Sequence, residues 1–357
     1  MKTGIIGLPQ VGKTSLFQIL THAHLDAKAA HGMHVGVAKV LDERLDKLAA
    51  LYQPKKVTHA SVEYVDVGGL VHDRAKDSAY LTQIRQVDAL AHVVRMFDDP
   101  AHPHPAGSID AARDVESVEL DLMLNDLEQI SRRRERLEKD IKKKREPVLE
   151  HELALLTRCK EALEAEKPLR ELAFHADEAK ILGSFQFLSQ KPVLIVVNVG
   201  DDEAAAVDGV VEKHGLQKLE GRPHTAVTGI CGRIEAELAA LDEAEAAELM
   251  QAYGLKESGL ARLIRATYKL LGLISFFTYG ETDVRAWTIE RGSTAHIAAG
   301  AIHTDIQRGF IKAEVVRWDH LLAGGGTAGA RESGHFKLEG KDYVVEDGDT
   351  ILFRHSG

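Results

Sequence analysis

The stretch Gly7-Leu8-Pro9-Gln10-Val11-Gly12-Lys13-Thr14-Ser15 constrains the fold more than any other part of the chain. It places a GxxxxGK[ST] pattern directly after the apolar run Lys2–Ile6 and ahead of a helical run over 14–23. Strand, glycine loop and helix in that order make a concave nest. The glycines let backbone N–H groups converge, and the helix N-terminus adds its positive end. Such a nest suits a chain of phosphates, with Lys13 reaching the β- and γ-phosphates and the Thr14 hydroxyl placed to ligate Mg²⁺. A fortuitous glycine-containing turn is the competing reading, and the flanking strand and helix argue against it.

With 357 residues the chain is too long for one ordinary core and implies two or three domains. Hydrophobic residues make up 44% and charged residues 28%, the balance of a globular protein. The sequence shows no apolar run of membrane-spanning length and no signal-peptide pattern. Two cysteines, Cys159 and Cys231, lie far apart without CxxC spacing, which fits a reducing cytoplasm rather than a disulfide framework or a zinc site.

Short apolar runs at Lys2–Ile6, Val62–Val65 and Ala89–Val94 read as buried strands. They alternate with helical runs at 14–23 and 41–51, and the pattern resumes at Pro192–Asn198 and His224–Val227, followed by a helix from Arg233. This β/α alternation predicts a mostly parallel sheet covered by helices. About ninety residues interrupt it. From Asp114 to Arg145 there is no Pro or Gly, and Leu120, Leu124, Leu127, Ile130, Leu137 and Ile141 recur at helical steps. Pro147 breaks the run and a second helical stretch follows to about Glu166, so an antiparallel helical hairpin (a coiled coil) is expected. After Ser275, short β-like runs between glycine-rich turns predict a small α+β domain with one helix over Thr294–Gly300. The expected partition is a nucleotide-binding P-loop NTPase domain at 1–113 and 191–274, the inserted hairpin at 114–190, and the last domain at 275–357.

Further positions carry chemistry. Asp66 ends a strand and begins Asp66-Val67-Gly68-Gly69, a pattern suited to a metal-facing carboxylate and a glycine N–H at a γ-phosphate. Asn198-Val199-Gly200-Asp201 ends another strand, where a base is recognised in this fold class, and Cys231 precedes the next helix. Val199 stands where guanine-specific sites keep a lysine. Each also reads as an ordinary strand-end turn. Between Arg132 and Arg145 there are nine basic residues against three acidic ones in a chain of net charge −10. Arg132, Arg133, Arg134, Lys142, Lys143 and Lys144 form a footprint for phosphate backbones, RNA before DNA because no DNA-specific motif is present. A solvated helix laced with ion pairs is the alternative.

These residues together resemble the YchF/Obg-like ATPases. The carriers are GLPQVGKTS at 7–15, VGVAKVLDERLDKL at 35–48, YVDVGGLV at 64–71, ALAHVVRMFDD at 89–99, IEAELAAL at 234–241, and two C-terminal runs at 285–315 and 338–349. The resemblance covers essentially the whole chain. It implies a P-loop NTPase domain of α/β fold with an inserted helical hairpin and a C-terminal, ubiquitin-like TGS domain. It also implies ATP or GTP hydrolysis with Mg²⁺, ribosome association, and a loop histidine in place of a water-orienting glutamine. Leu70 cannot hydrogen-bond an attacking water, and His104 in His102-Pro103-His104-Pro105 falls near that histidine's place. The switch regions at 24–36 and 68–80 are shorter than the family's, with Ala30 where a threonine is usual and His72 to Asp77 in place of a glycine-rich stretch. The expected function is therefore a ribosome-associated NTPase switch. The alternative is a nucleotide-binding scaffold with little hydrolysis, and a small-molecule kinase is disfavoured because no acceptor lid is visible.

Overall fold

The computed structural model describes residues 1–21, 34–66 and 78–356. Two six-stranded sheets organise it. The first contains β1 (Lys2–Ile6), β2 (His34–Lys39), β4 (Ser61–Asp66), β5 (Ala89–Met96), β6 (Val193–Val199) and β7 (Thr225–Ile230), in the order β2-β4-β1-β5-β6-β7. β1 pairs in parallel with β4 and β5, and β5, β6 and β7 continue the parallel ladder. These central strands are buried almost throughout, which is why they read as continuous apolar runs rather than alternating ones.

Helices α1 (Lys13–Thr21), α2 (Glu43–Tyr52) and α3 (Ser78–Arg85) precede the long helix α4 (Ala111–Lys143), which is about 50 Å long at 1.5 Å per residue. Asp110 caps α4 by accepting from the Arg113 N–H. The second helix of the pair, α5 (Pro147–Glu164), begins on the proline that the sequence marks as a breaker. At the first helical position Pro147 costs no hydrogen bond, so it both ends one helix and starts the next. Ile130 and Leu137 pack in one core cluster with Leu155, Leu156, Cys159 and Leu163, and Arg133 bridges to Glu152 at 2.7 Å.

The expected apolar stripe is off in register at its start. Leu120 and Leu124 are exposed, while Val118 and Leu122 pack on the sheet and Met123 faces α5. The first half of α4 serves two packing surfaces, and a single seam drawn through leucines misses that.

By compactness the chain divides into Met1–Val37 with Glu63–Ala266, and Ala38–Val62 with Thr267–Gly357. This differs from a partition that keeps 1–113 together. The second unit holds β3 (Lys56–Thr58), β8 (Leu273–Thr278), β9 (Asp283–Glu290), β10 (Phe310–Arg317), β11 (Lys337–Glu339) and β12 (Asp349–His355), in the order β11-β10-β12-β8-β9-β3. β3 comes from the first sixth of the sequence and joins in parallel to β9. α2 goes with it. The Tyr52 hydroxyl meets the Thr327 hydroxyl at 3.1 Å, and Arg44 pairs with Asp347 at 3.1 Å.

The core of this unit joins Phe276, Ile289, Ala298, Phe310 and Ile351. The helix expected over Thr294–Gly300 is Ala295–Ile302, with Thr294 as its cap. The apolar run Tyr343–Val345 forms only an isolated bridge, between Thr294 and Val344.

Candidate nucleotide site

The register of β1 builds the loop. Ile5 lies opposite Asp66 on β4, and Ile6 lies opposite His92 on β5, so Asp66 stands beside the point where the chain leaves the sheet. Gly7 has φ +142°, and a Cβ there would sit 2.4 Å from the Val93 carbonyl oxygen. Gly12 has φ +97°, and its Cβ would sit 2.7 Å from Asn198 Nδ2. Only glycine permits both passages. Gln10 between them also takes a positive φ of 61°, while Val11 is buried and pins the loop to the core.

Lys13 opens α1 and is 6% exposed, its Nζ donating to the Leu8 carbonyl at 2.5 Å across its own loop. Burial lowers its pKa to about 8, against the opposing pull of the Asp66 charge. Thr14 and Ser15 are exposed at the start of α1, Leu8 and Pro9 are half-buried, and Asp66 is buried. The expected phosphate-loop residues thus converge in one place. Gly69 lies outside the described residues, as do Ala30, Leu70 and the stretch 72–77.

On the base side the polar groups have partners within the protein. Asn198 is buried, its Nδ2 donating to the Val11 carbonyl at 3.0 Å and its Oδ1 accepting from the Gly232 N–H at 2.9 Å. Its amide ties the phosphate loop to the helix Gly232–Leu238, a positioning role that uses one of the two Nδ2 hydrogens of a residue that also borders the groove. Val199 is buried in the cluster with Val197 and Ala204. Asp201 accepts from Cys231 Sγ at 3.4 Å and pairs with Arg233 at 2.9 Å. Burial pushes the Cys231 thiol up to about 11, so it stays a protonated donor. An open groove of 840 Å³ runs between these groups, bordered by Gly12, Ser15, Phe97, Asn198, Asp201 and Arg233, a size that accommodates a mononucleotide.

His104 does not border that groove. It is 9% exposed, with Nε2 standing 3.0 Å from Asp114 Oδ2 in the first turn of α4 and Nδ1 accepting from the Ala106 N–H. Its ring stands against the root of the helix pair, although neither Nε2 nor Asp114 Oδ2 makes a hydrogen bond.

The basic run is also less free than its composition implies. Arg132 pairs with Glu128, Arg133 with Glu152, Arg134 with Glu138, Lys143 with Asp140, Lys144 with Glu146 and Arg145 with Glu150. Among the described residues Arg136, Lys139 and Lys142 have no such partner, which shifts the unneutralised charge away from most of the positions singled out in the sequence.

Sequence reasoning missed two arginines. Arg95 is fully buried and donates to the Phe97 and His102 carbonyls at 3.0 and 2.9 Å, holding the loop beside the groove. Arg233 reaches Asp201, and the one available signal was its place two residues after Cys231.

The description "50S ribosome-binding GTPase" matches residues 2–150, and the YchF-GTPase C-terminal description, "protein of unknown function", matches residues 273–356. The ribosome-binding ATPase YchF of Bacillus subtilis is 41% identical over 363 residues, covering 99% of each chain. The chain belongs to the YchF family. The YchF of Escherichia coli O157:H7, also titled a ribosome-binding ATPase, is 38% identical over 99% of this chain and 98% of its own. The solved structure of the Schizosaccharomyces pombe YchF GTPase superposes with a TM-score of 0.86 at 29% identity, covering 99% of this chain and 97% of that one. The α/β P-loop GTPase fold of the YchF family is therefore the fold of this chain.

Proposed function

We propose that this chain binds a nucleoside triphosphate in the groove above Gly7–Ser15, hydrolyses it, and acts as a ribosome-associated switch in the cytoplasm. The observation that carries the reading is the Lys13 arch. A buried ammonium donates to its own loop carbonyl, beside a buried carboxylate and under a loop held open by two obligatory glycines. A triphosphate would take the ammonium from the Leu8 carbonyl and supply a stronger, charged partner. The names of the relatives, ribosome-binding ATPases, support hydrolysis and the ribosome as partner.

Mg²⁺ fits the donor set. Thr14 and Asp66 offer hard oxygens, and Mg²⁺ is held by one or two protein oxygens together with phosphates and water. When bound, it neutralises charge developing on the β- and γ-oxygens. The residues of this chain would do the rest: Lys13 holds the phosphates, the loop N–H groups orient them, and Asn198 keeps loop and helix in register. His104 is the proposed water-orienting group, and it would have to leave Asp114 to act.

We read the second unit as a TGS domain extended by residues 38–62, and the α4–α5 pair as the arm that meets RNA. Single-turnover hydrolysis of ATP and GTP, with and without ribosomes, tests the proposal. Hydrolysis that needs Mg²⁺ and rises with ribosomes is expected. Tight binding without turnover under both conditions would favour the scaffold alternative.

A further inference from the structure

The mouth of the groove contains an ion pair that the phosphate chemistry does not use. Asp201 occupies the place where a carboxylate accepts hydrogen bonds from the N1–H and N2–H₂ donors of guanine. Here its two oxygens are already engaged: Oδ1 accepts from Cys231 Sγ at 3.4 Å, and Oδ2 pairs with Arg233 at 2.9 Å. Arg233 begins the same helix whose first N–H is held by Asn198, and a second acid on that helix, Glu237, lies 3.6 Å from its Nε. Arg233, Asp201 and Asn198 all border a groove that also reaches Gly12 of the phosphate loop.

We propose that Arg233 is a specificity-determining residue, which by holding Asp201 presents hydrogen-bond donors where guanine would need an acceptor and so favours adenine in this site. The chemistry is a matching of edges. Guanine offers two donors there and meets a guanidinium that has only donors. Adenine offers an acceptor at N1, which the Arg233 guanidinium can meet. The absence of lysine at position 199 leaves Arg233 as the cation bordering the groove mouth. Because Arg233 is 75% exposed, its hold on Asp201 is that of a surface ion pair, and the bias expected is about fivefold rather than a thousandfold.

This inference rests on the nucleotide reading proposed above, and its test separates the two. Dissociation constants for non-hydrolysable ATP, GTP and ITP analogues are measured with the full chain as wild type, Arg233→Ala, Asp201→Asn and the double variant. Arg233→Ala is expected to move the ATP:GTP ratio toward GTP by about fivefold. ITP, lacking the 2-amino group, should gain less, and Arg233→Lys should restore most of the original ratio. The shift should vanish in Arg233→Ala/Asp201→Asn, because no carboxylate is left to read guanine. A ratio in Arg233→Ala within twofold of wild type, a shift that persists in the double variant, or a wild type preferring GTP more than tenfold would overturn the specificity role. Each of those leaves the phosphate site standing. If no analogue binds even the wild type, the nucleotide reading itself fails and takes this proposal with it.

Discussion

Lys13 is where a single side chain decides most. Its pKa of about 8 in the nucleotide-free protein reflects the cost of burying an ammonium. A bound triphosphate favours the charged form and raises that pKa, so above pH 8 binding must take up a proton. At pH 8.5 the uptake should be a sizeable fraction of a proton, and affinity should fall as pH rises further. Calorimetry in two buffers of different ionisation enthalpy measures it. Uptake near zero at pH 8.5, with binding intact, would show that Lys13 is already fully charged or never meets the phosphates.

Gly12 is the second decisive position. A methyl group at φ +97° and 2.7 Å from the Asn198 amide must push that amide off the Val11 carbonyl. Gly12→Ala should therefore abolish tight nucleotide binding while the helix pair keeps its melting behaviour. Nucleotide titration beside circular dichroism of the variant checks both halves.

At the scale of elements, the root of the helix pair is anchored electrostatically. Glu119 of α4 pairs with Arg170, which is 5% exposed, and with Arg222 at 2.7 Å. Burial holds the Arg170 pKa down to about 10, still far above neutrality, so its charge persists and needs Glu119. Glu119→Gln should cost about 3–5 kcal/mol because it removes the carboxylate in direct contact with a buried guanidinium, leaving only the through-space charge of Glu171. Urea midpoints would show it, and a loss under about 1 kcal/mol would mean the site is wetter than its burial indicates.

Further along the helices the charges are mostly paired on the surface, where each pair is worth little and is open to exchange with phosphate. Arg136, Lys139 and Lys142 lack ion-pair partners among the described residues, so they can neutralise a phosphate without breaking anything. Changing these three to Ser should flatten the salt dependence of RNA or ribosome binding by about 2 in the log–log slope, with nucleotide affinity unchanged. Changing Arg133, Arg134 and Lys144 instead should flatten it less. Co-sedimentation across a salt series compares the two sets, and equal effects would show that internal pairing is irrelevant to the contact.

For the whole molecule, the division into units has consequences for what can fold alone. The sheet of the second unit ends on β3, and β9 would expose its open edge without it. Residues 267–357 expressed alone should therefore aggregate or lack dispersed amide resonances. The same fragment with residues 38–62 joined by a flexible linker should fold cooperatively. A well-dispersed spectrum from 267–357 alone would show that β3 and α2 are accessories.

This is also where the sequence and the tertiary structure part company. Local patterns were enough for β1, the phosphate loop and α1, because a buried strand, two glycines in forced backbone geometry and a helix start are all written within twenty residues. The α4–α5 pair was legible for the same reason: a long run without breakers, then Pro147. Periodicity could not say which face of α4 meets the sheet and which meets α5, so Leu120 and Leu124 read as core and are exposed. Nor could composition show that six of the nine basic residues from 132 to 145 are matched by acids, two of them, Glu150 and Glu152, from the next helix.

The assignment of residues 38–62 to the second unit, the use of both ends of Asn198 within the protein, and the burial of His104 against Asp114 join positions far apart in the chain or buried by packing. Only the closed fold brings those groups within reach of one another. The residues of the phosphate loop are determined by the chain's own local physics, whereas which groups remain free at the base and along the arm is decided by partners that the sequence places elsewhere.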